Sequence, residues 1–378
     1  SPHGIRNNIR RVLEDDTWWE GVEGIPGGRD VMKEYVEKYY AKNKPSGKYN
    51  GCASYEDFRE LLEKEKDIDA VKIMTPDHLH ATIAIAAMDK GINVITHKPI
   101  ANRMAEGRMT INKARETGMV THLLAWSNRP EYRLIKSWID DGVIGELKEI
   151  HNWSYRPVWQ QWTQRPKDTP PVPKDFNWDL WLGPVPHIPY HPNYTHNVFR
   201  GWYDFGGGSI ADMGHYSLFP LFETLGITRP PVSAKAFGTT TREAQDNVYH
   251  WVNNDVAFPQ SCLIRLKFPE QETVPAFDLY WYDGGMKPFA PEELEADGRE
   301  TPNEGLMFVG DKGKILGGFR GENPEIIPKS KMDSYSGNKS IGTDDPERGT
   351  NNWIDYVMNN EQSPGSFIRA ETVTEAIN

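Results

Sequence analysis

Cysteine is nearly absent from this chain of 378 residues: Cys52 and Cys262 are the only two. Two thiols so far apart make neither a disulfide framework nor a zinc site, and both read as free, buried or half-buried thiols. No apolar run reaches the roughly 20 residues that a membrane-spanning helix needs. No basic run exceeds a few residues, and the net charge is −11. That balance excludes nucleic acid and anionic membrane surfaces as natural partners. No signal peptide is visible, and the chain begins at Ser1 without a Met. The reading therefore favours the cytoplasm and leaves an exported form open. A G-x-G-x-x-G phosphate turn is missing too.

What is present is enough apolar material for packed cores: 38% hydrophobic and 26% charged residues over a length that fits two domains. Tryptophan and proline are abundant, at 13 and 28, and six of the Trp and nine of the Pro fall between Trp153 and Trp202. That shift marks a rigid, aromatic-rich insertion over 153–205. The first part alternates. Helical spacing covers Ile5 to Glu14, Val31 to Lys42 and Tyr55 to Glu65, the last opened by a Ser54 cap. A buried strand follows over Ala70 to Met74, a helix over His80 to Lys90 ending at Gly91, and a strand over Ile92 to Thr96. A helix over Asn102 to Thr117 ends at Gly118, and Val120 to Trp126 is a third strand.

This alternation implies βαβ crossovers and a doubly wound parallel sheet, with ligands at the carboxyl ends of its strands. Those ends are Thr75-Pro76-Asp77-His78, His97-Lys98-Pro99 and Trp126-Ser127-Asn128-Arg129. After a linking helix over Glu131 to Asp141 the grammar changes. Strands read over Glu146 to Tyr155, Val232 to Thr239, Ser261 to Phe268 and Pro275 to Trp281. A hairpin turns at Asp311-Lys312, and a helix spans Ser209 to Leu225. The fold class is α/β. An N-terminal Rossmann domain, 1–129, precedes an α+β domain, 130–378, with a large open, mostly antiparallel sheet.

The chain resembles the Gfo/Idh/MocA oxidoreductase family. The residues that carry the resemblance are Thr75-Pro76-Asp77-His78-Leu79-His80 for its T-P-x-x-x-H turn and His97-Lys98-Pro99 for its E-K-P strand end. Gly206 to Tyr216 stands for its GGG-x-x-x-D-x-G-x-H helix start, and Val309 to Ile315 for its closing hairpin. The resemblance implies bound NAD or NADP, a carbohydrate substrate, and a homo-oligomer, dimer or tetramer, formed through the open sheet. It also implies residues upstream of Ser1 and downstream of Asn378, with Gly4 as the last glycine of the phosphate turn. No ribose-binding acid is evident near Arg29, so the choice between NAD and NADP stays open.

Oxidising a secondary alcohol needs a hydride acceptor, a base and groups that hold the reactants. Lys98 is the leading catalytic candidate, at a strand end where burial lowers a lysine pKa. Asp212 supports it. The family's His stands where this chain has Tyr216, one residue after His215, and both lie near Asp212 on a helix. The proton-transfer role is left open between them. Thr75, Pro76, His78, His80, His97, Asn128 and Arg129 are cofactor candidates. Tyr155, Arg156, His196, Arg200 and Trp202 are substrate candidates, aromatic platforms and polar groups that suit a pyranose. Asp77, His78 and His80 come from one stretch and are not read as a metal site. The reading is an NAD(P)-dependent sugar or glycoside dehydrogenase. Its rivals are a glycosidase of the same family that works by transient oxidation, and a non-catalytic binding protein of the same fold.

Overall fold

The computed structural model describes residues 28–42, 44–341 and 350–378. The described residues form two compact units, one within 1–68 and 168–191 and the other within 69–167 and 192–378.

The smaller unit contains α1 (Arg29–Lys42) and α2 (Phe58–Lys64). Ser54 is not the cap of α2. Asp57 takes that place, because its carboxylate accepts the Arg59 amide at 2.9 Å. The helix expected over 5–14 lies outside the described residues. The rest of this unit is the middle of the Trp- and Pro-rich stretch, where Trp178 stacks on Trp181 at 4.8 Å and donates to the Ile188 carbonyl at 2.7 Å.

In the larger unit β1 (Ala70–Ile73), β2 (Asn93–Thr96) and β3 (Thr121–Leu123) form a parallel sheet in that order. The crossovers are α3 (His80–Met88) and α4 (Met104–Thr117). Their small residues Ala84, Ala87 and Ala114 pack without exposed surface, as do Val94, Ile95 and Leu123 of the strands. Gly118 stops α4 in the left-handed region at φ 67°. Lys72 and Met74 are exposed, so the first strand is less buried than its apolar run implies.

α5 (Pro130–Asp140) leads to β4 (Leu147–Trp153), and the small unit adds α6 (Trp178–Leu182). α7 (Gly208–Leu225) is the long helix of the larger unit. After it come β5 (Ser233–Gly238), β6 (Thr241–Gln245), β7 (Val248–Val252), β8 (Cys262–Phe268) and β9 (Phe277–Tyr282). Next are α8 (Glu292–Ala296), β10 (Gly305–Gly310), β11 (Lys314–Gly317) and β12 (Glu325–Ile327). The chain closes with α9 (Lys329–Ser334), α10 (Thr350–Asn359) and α11 (Glu371–Ile377). The seven-stranded sheet runs β12-β11-β10-β4-β9-β8-β5 and is antiparallel except for β4 beside β9.

α7 covers one sheet face, where Ser217 donates to Asn152 at 2.5 Å. The neighbouring residue Trp153 points the other way, into a cluster with Leu294, Met307, Leu316 and Ile327. Burying Leu294 is worth about 1.5–3 kcal/mol, which holds a five-residue helix too short to persist alone. The hairpin β6–β7 was not foreseen. Its Asp246 and Asn247 sit at φ 51° and 64°, and they close a two-residue turn. Among the described residues no helix is long and apolar enough to cross a membrane.

Candidate active site

The site forms at the carboxyl end of β2. Lys98 stands two residues after that strand and is 1% exposed. Its Nζ stands 2.6 Å from Asp212 Oδ1 and also donates to the Asp212 carbonyl. Asp212 occupies the second turn of α7, and the glycines before it decide what can lie there. A Cβ on Gly206 would fall on the main chain of Arg200, so only glycine lets the turn His196–Gly201 come this close. That approach brings Arg200 Nε to 3.2 Å from Asp212 Oδ1 and its Nη2 to 3.7 Å from Asp77 Oδ1. Arg156 Nη1 lies 3.9 Å from Asp212 Oδ2.

Burial pulls the Lys98 ammonium below the ordinary lysine range, and Asp212 restores part of the loss. Burial opposes the Asp212 carboxylate, yet Lys98 and Arg200 hold it below the usual carboxylate range. The two groups form a buried ion pair in which the lysine gives up its proton more readily than a surface lysine does. Asp77 is 1% exposed, and burial pushes its carboxyl up.

The second element of the site is a hydrogen bond of 2.8 Å between His97 Nε2 and Tyr216 Oη. Burial and Lys98 pull His97 down to about 3, so the imidazole is neutral near pH 7 and accepts from the phenol. Burial and Asp212 push the Tyr216 phenol up, and it stays protonated. Lys98 Nζ is 5.0 Å and Arg320 Cζ 4.6 Å from the centre of the Tyr216 ring.

His215 sits differently from its neighbour. It has no exposed surface, its Nδ1 lies 3.4 Å from the Ala211 carbonyl, and burial and Lys98 pull it down to about 3. Its Nε2 has no hydrogen-bond partner. Of the two candidates, only Tyr216 belongs to a hydrogen-bonded pair with a strand-end residue.

The remaining candidates separate by burial. Thr75 has its Oγ1 buried without a hydrogen-bond partner, and Pro76 precedes the turn at Asp77–Leu79. His80 is wholly buried, with Nδ1 2.6 Å from the Pro99 carbonyl and Nε2 2.8 Å from the Thr75 carbonyl. It ties two strand ends together and presents no atom to a cofactor, which corrects its reading as a cofactor contact. His78 is buried near Phe205, 5.2 Å between ring centres. Asn128 and Arg129 line a cleft of about 440 Å³ with Trp126, Arg133, Glu223 and Arg369; Lys98, Asp212 and Tyr216 are not in its wall. Tyr155 is exposed, 5.6 Å from the Arg156 guanidinium.

Trp202 is a second correction. It has no exposed surface, stacks on Trp162 at 4.7 Å and donates to the Asn193 carbonyl at 2.8 Å, so it offers no face to a sugar. The His196 side chain and Gly4 lie outside the described residues. Among the described residues no three His, Cys, Asp or Glu side chains converge as metal ligands. Arg320 and Asp77 were missed as site residues. The signal for Arg320 was its place in Gly317-Gly318-Phe319-Arg320-Gly321, a glycine-rich turn directly after β11.

These strand ends and the sheet domain after them define a two-part fold of the dinucleotide-binding type. The chain belongs to the Gfo/Idh/MocA family. The family's profile described as "Oxidoreductase family, NAD-binding Rossmann fold" matches residues 33–124. Its profile described as "Oxidoreductase family, C-terminal alpha/beta domain" matches residues 132–288. A levoglucosan dehydrogenase of Pseudarthrobacter phenanthrenivorans is 34% identical over 111 residues, 28% of this chain and 28% of that protein. A dTDP-3,4-didehydro-2,6-dideoxy-alpha-D-glucose 3-reductase of Streptomyces violaceoruber is 33% identical over 101 residues, 26% of this chain and 29% of that protein. The matched segments thus span under a third of those curated relatives. The WlbA dehydrogenase of Bordetella pertussis, solved with NADH and UDP-GlcNAcA, shares the fold at a TM-score of 0.53 and 15% identity. That likeness covers 87% of this chain and 81% of the other.

Proposed function

We propose that this protein is an NAD(P)-dependent oxidoreductase that transfers a hydride between nicotinamide and a secondary alcohol of a sugar or sugar derivative. The observation that carries the reading is the buried Lys98–Asp212 pair beside the Tyr216–His97 hydrogen bond, at the carboxyl end of a parallel strand. Family membership and the sugar dehydrogenase and reductase activities of the relatives support it. Thr75, whose buried hydroxyl lacks a partner, Pro76 and Lys98 would hold the nicotinamide end of the cofactor. When bound, that ring supplies the hydride acceptor or donor.

The chain's own residues handle the proton. Tyr216 receives the proton of the substrate hydroxyl while its own proton passes to His97 Nε2; because burial and Lys98 hold His97 down at about 3, the imidazole carries that proton only in passing and releases it to water. The Lys98 ammonium, held by Asp212, stabilises the alkoxide that develops as the proton leaves. Reduction runs the same steps backwards.

The test is the reduction of NAD⁺ and of NADP⁺ against a panel of sugars, inositols and glycosides, followed by the absorbance of the reduced ring. Tyr216→Phe should lower kcat by about 10²–10⁴, the usual worth of a positioned acid–base group, and leave substrate binding nearly unchanged. Full turnover by Tyr216→Phe and by Lys98→Ala would sink the assignment. Release of a cleaved sugar with no net reduced nicotinamide would move the reading to a glycosidase acting by transient oxidation.

A further inference from the structure

Three arginines converge on Asp212 and Tyr216 from three separate segments, and they are poorly matched by acceptors. Arg156 follows β4, Arg200 lies in the turn before α7, and Arg320 follows β11. Each guanidinium carries five N–H donors in a rigid fork. Among the described residues none of the three forks makes a hydrogen bond to a protein acceptor. Arg156 Nε and Arg200 Nε are buried without one. Arg200 has Asp212 and Asp77 within ion-pair range, and Arg156 reaches Asp212 only at 3.9 Å. Arg320 has no ion pair and lies over the Tyr216 ring.

The acids nearby are engaged elsewhere. Asp212 spends its shortest contact on Lys98. Glu304 accepts from Ser154 Oγ at 2.7 Å and from the Tyr155 amide at 3.3 Å. Glu322 accepts from the Arg320 amide at 2.8 Å and faces Arg129 at 3.6 Å. Lys98, Arg156, Arg200 and Arg320 therefore stand against Asp77 and Asp212 alone, a cationic excess in a protein whose overall charge is −11. A neutral sugar brings hydroxyls that both donate and accept. An excess of fixed donors and of positive charge calls for a ligand with more acceptors than donors, and a planar fork fits carboxylate or phosphate oxygens best.

We infer that the substrate of this site is an acidic sugar, one bearing a carboxylate or a phosphate ester that seats against Arg320 and Arg156. The inference rests on the sugar oxidoreductase reading above and narrows it. The orphaned guanidinium donors are its ground, independently of which carbon is oxidised.

The experiment is isothermal titration of the protein with saturating NAD⁺, so that the cofactor's own phosphates are already placed. Glucose, galactose and mannose are each titrated against the corresponding uronate and 6-phosphate. At least one acid should bind about 10- to 100-fold more tightly than its neutral parent, the worth of one charge-assisted hydrogen-bonded pair. The uronate and phosphate arms tell the two sources of anionic oxygen apart. Arg320→Gln should remove most of that ratio and Arg320→Lys should keep part of it; Arg156→Gln is a second, independent variant. Neutral sugars binding as well as every acid overturns the inference and leaves the oxidoreductase reading intact. So does an acid preference that survives both glutamine variants. An acid that binds with the expected ratio but is neither oxidised nor cleaved supports the inference while the panel of neutral and acidic alcohols decides the reaction separately.

Discussion

Replacing Asp212 by Asn removes one charge from a pair in which Lys98 is 1% exposed and Asp212 8% exposed. Breaking a buried ion pair by deleting one partner costs about 3–5 kcal/mol, because the remaining charge is left desolvated. Arg200, 3.2 Å from the same carboxylate, loses its nearest anion too. At roughly 2 °C per kcal/mol for a chain of this size, Tm should fall by about 6–10 °C. The deficit should depend on pH in one direction. Asp212 raises Lys98, whose folded pKa already lies below its ordinary 10.5; without Asp212 it drops further. Between the folded value and 10.5 the unfolded chain binds more protons than the folded one, so stability rises with pH across that window. Urea unfolding of Asp212→Asn from about pH 7 to about pH 10 should show the gap to the parent protein closing. Removing both charges, in Lys98→Met with Asp212→Leu, should recover part of the stability lost in Asp212→Asn while activity is lost, because Lys98 no longer leaves a buried charge unpaired, whereas Arg200 still lacks its nearest anion. A single variant within about 0.5 kcal/mol of the parent at every pH, the ordinary effect of a surface change, would refute the coupling.

Two further outcomes test the placement of neighbouring groups. His215 is held at about 3 in the fold against an ordinary 6.5, so the folded state loses stability as pH falls through that window. His215→Leu should therefore unfold less readily in mild acid than the parent, with His97 still contributing its share, and keep turnover within several-fold. A loss of turnover beyond about 100-fold with an unchanged acid profile would return the proton transfer to His215. Gly206→Ala should push the Arg200 main chain away from α7 and lower kcat/KM by about 10- to 100-fold, the scale of a small misplacement in an active site. An unchanged kcat/KM would show that the placement of Arg200 does not depend on that close approach.

Much of the fold was legible because its signals are local. The apolar runs before Thr75 and His97, the stops at Gly91 and Gly118, and the alternation over Leu147–Trp153 each follow from period or turn chemistry within a few residues. The hairpin β6–β7 was not, because its strands are largely exposed and its Asp246-Asn247 turn carries no glycine. Trp202 and His80 were misjudged for one shared reason. Residue type advertises a platform or a ligand, but the stacking on Trp162 and the pair of carbonyls from Thr75 and Pro99 are long-range facts.

The choice between His215 and Tyr216 shows the same limit at the point where chemistry is decided. On a helix the third and fourth residues after Asp212 lie close to one face, so spacing alone assigns neither. In the proposed reading a partner on another element favours Tyr216. His97 at the end of β2 stands 2.8 Å from Tyr216, while His215 turns its Nε2 into a dry interior without a partner. The chain has His97 where the family places an acid and Tyr216 where the family places a histidine, so the two departures are one exchange. In the proposed mechanism the imidazole at the strand end passes on the proton that the phenol on the helix hands over. If the exchange is the working unit, His97→Gln and Tyr216→Phe combined should cost kcat little more than Tyr216→Phe alone, since a relay is lost with its first broken link. Costs that multiply would mean that His97 and Tyr216 act on the substrate separately.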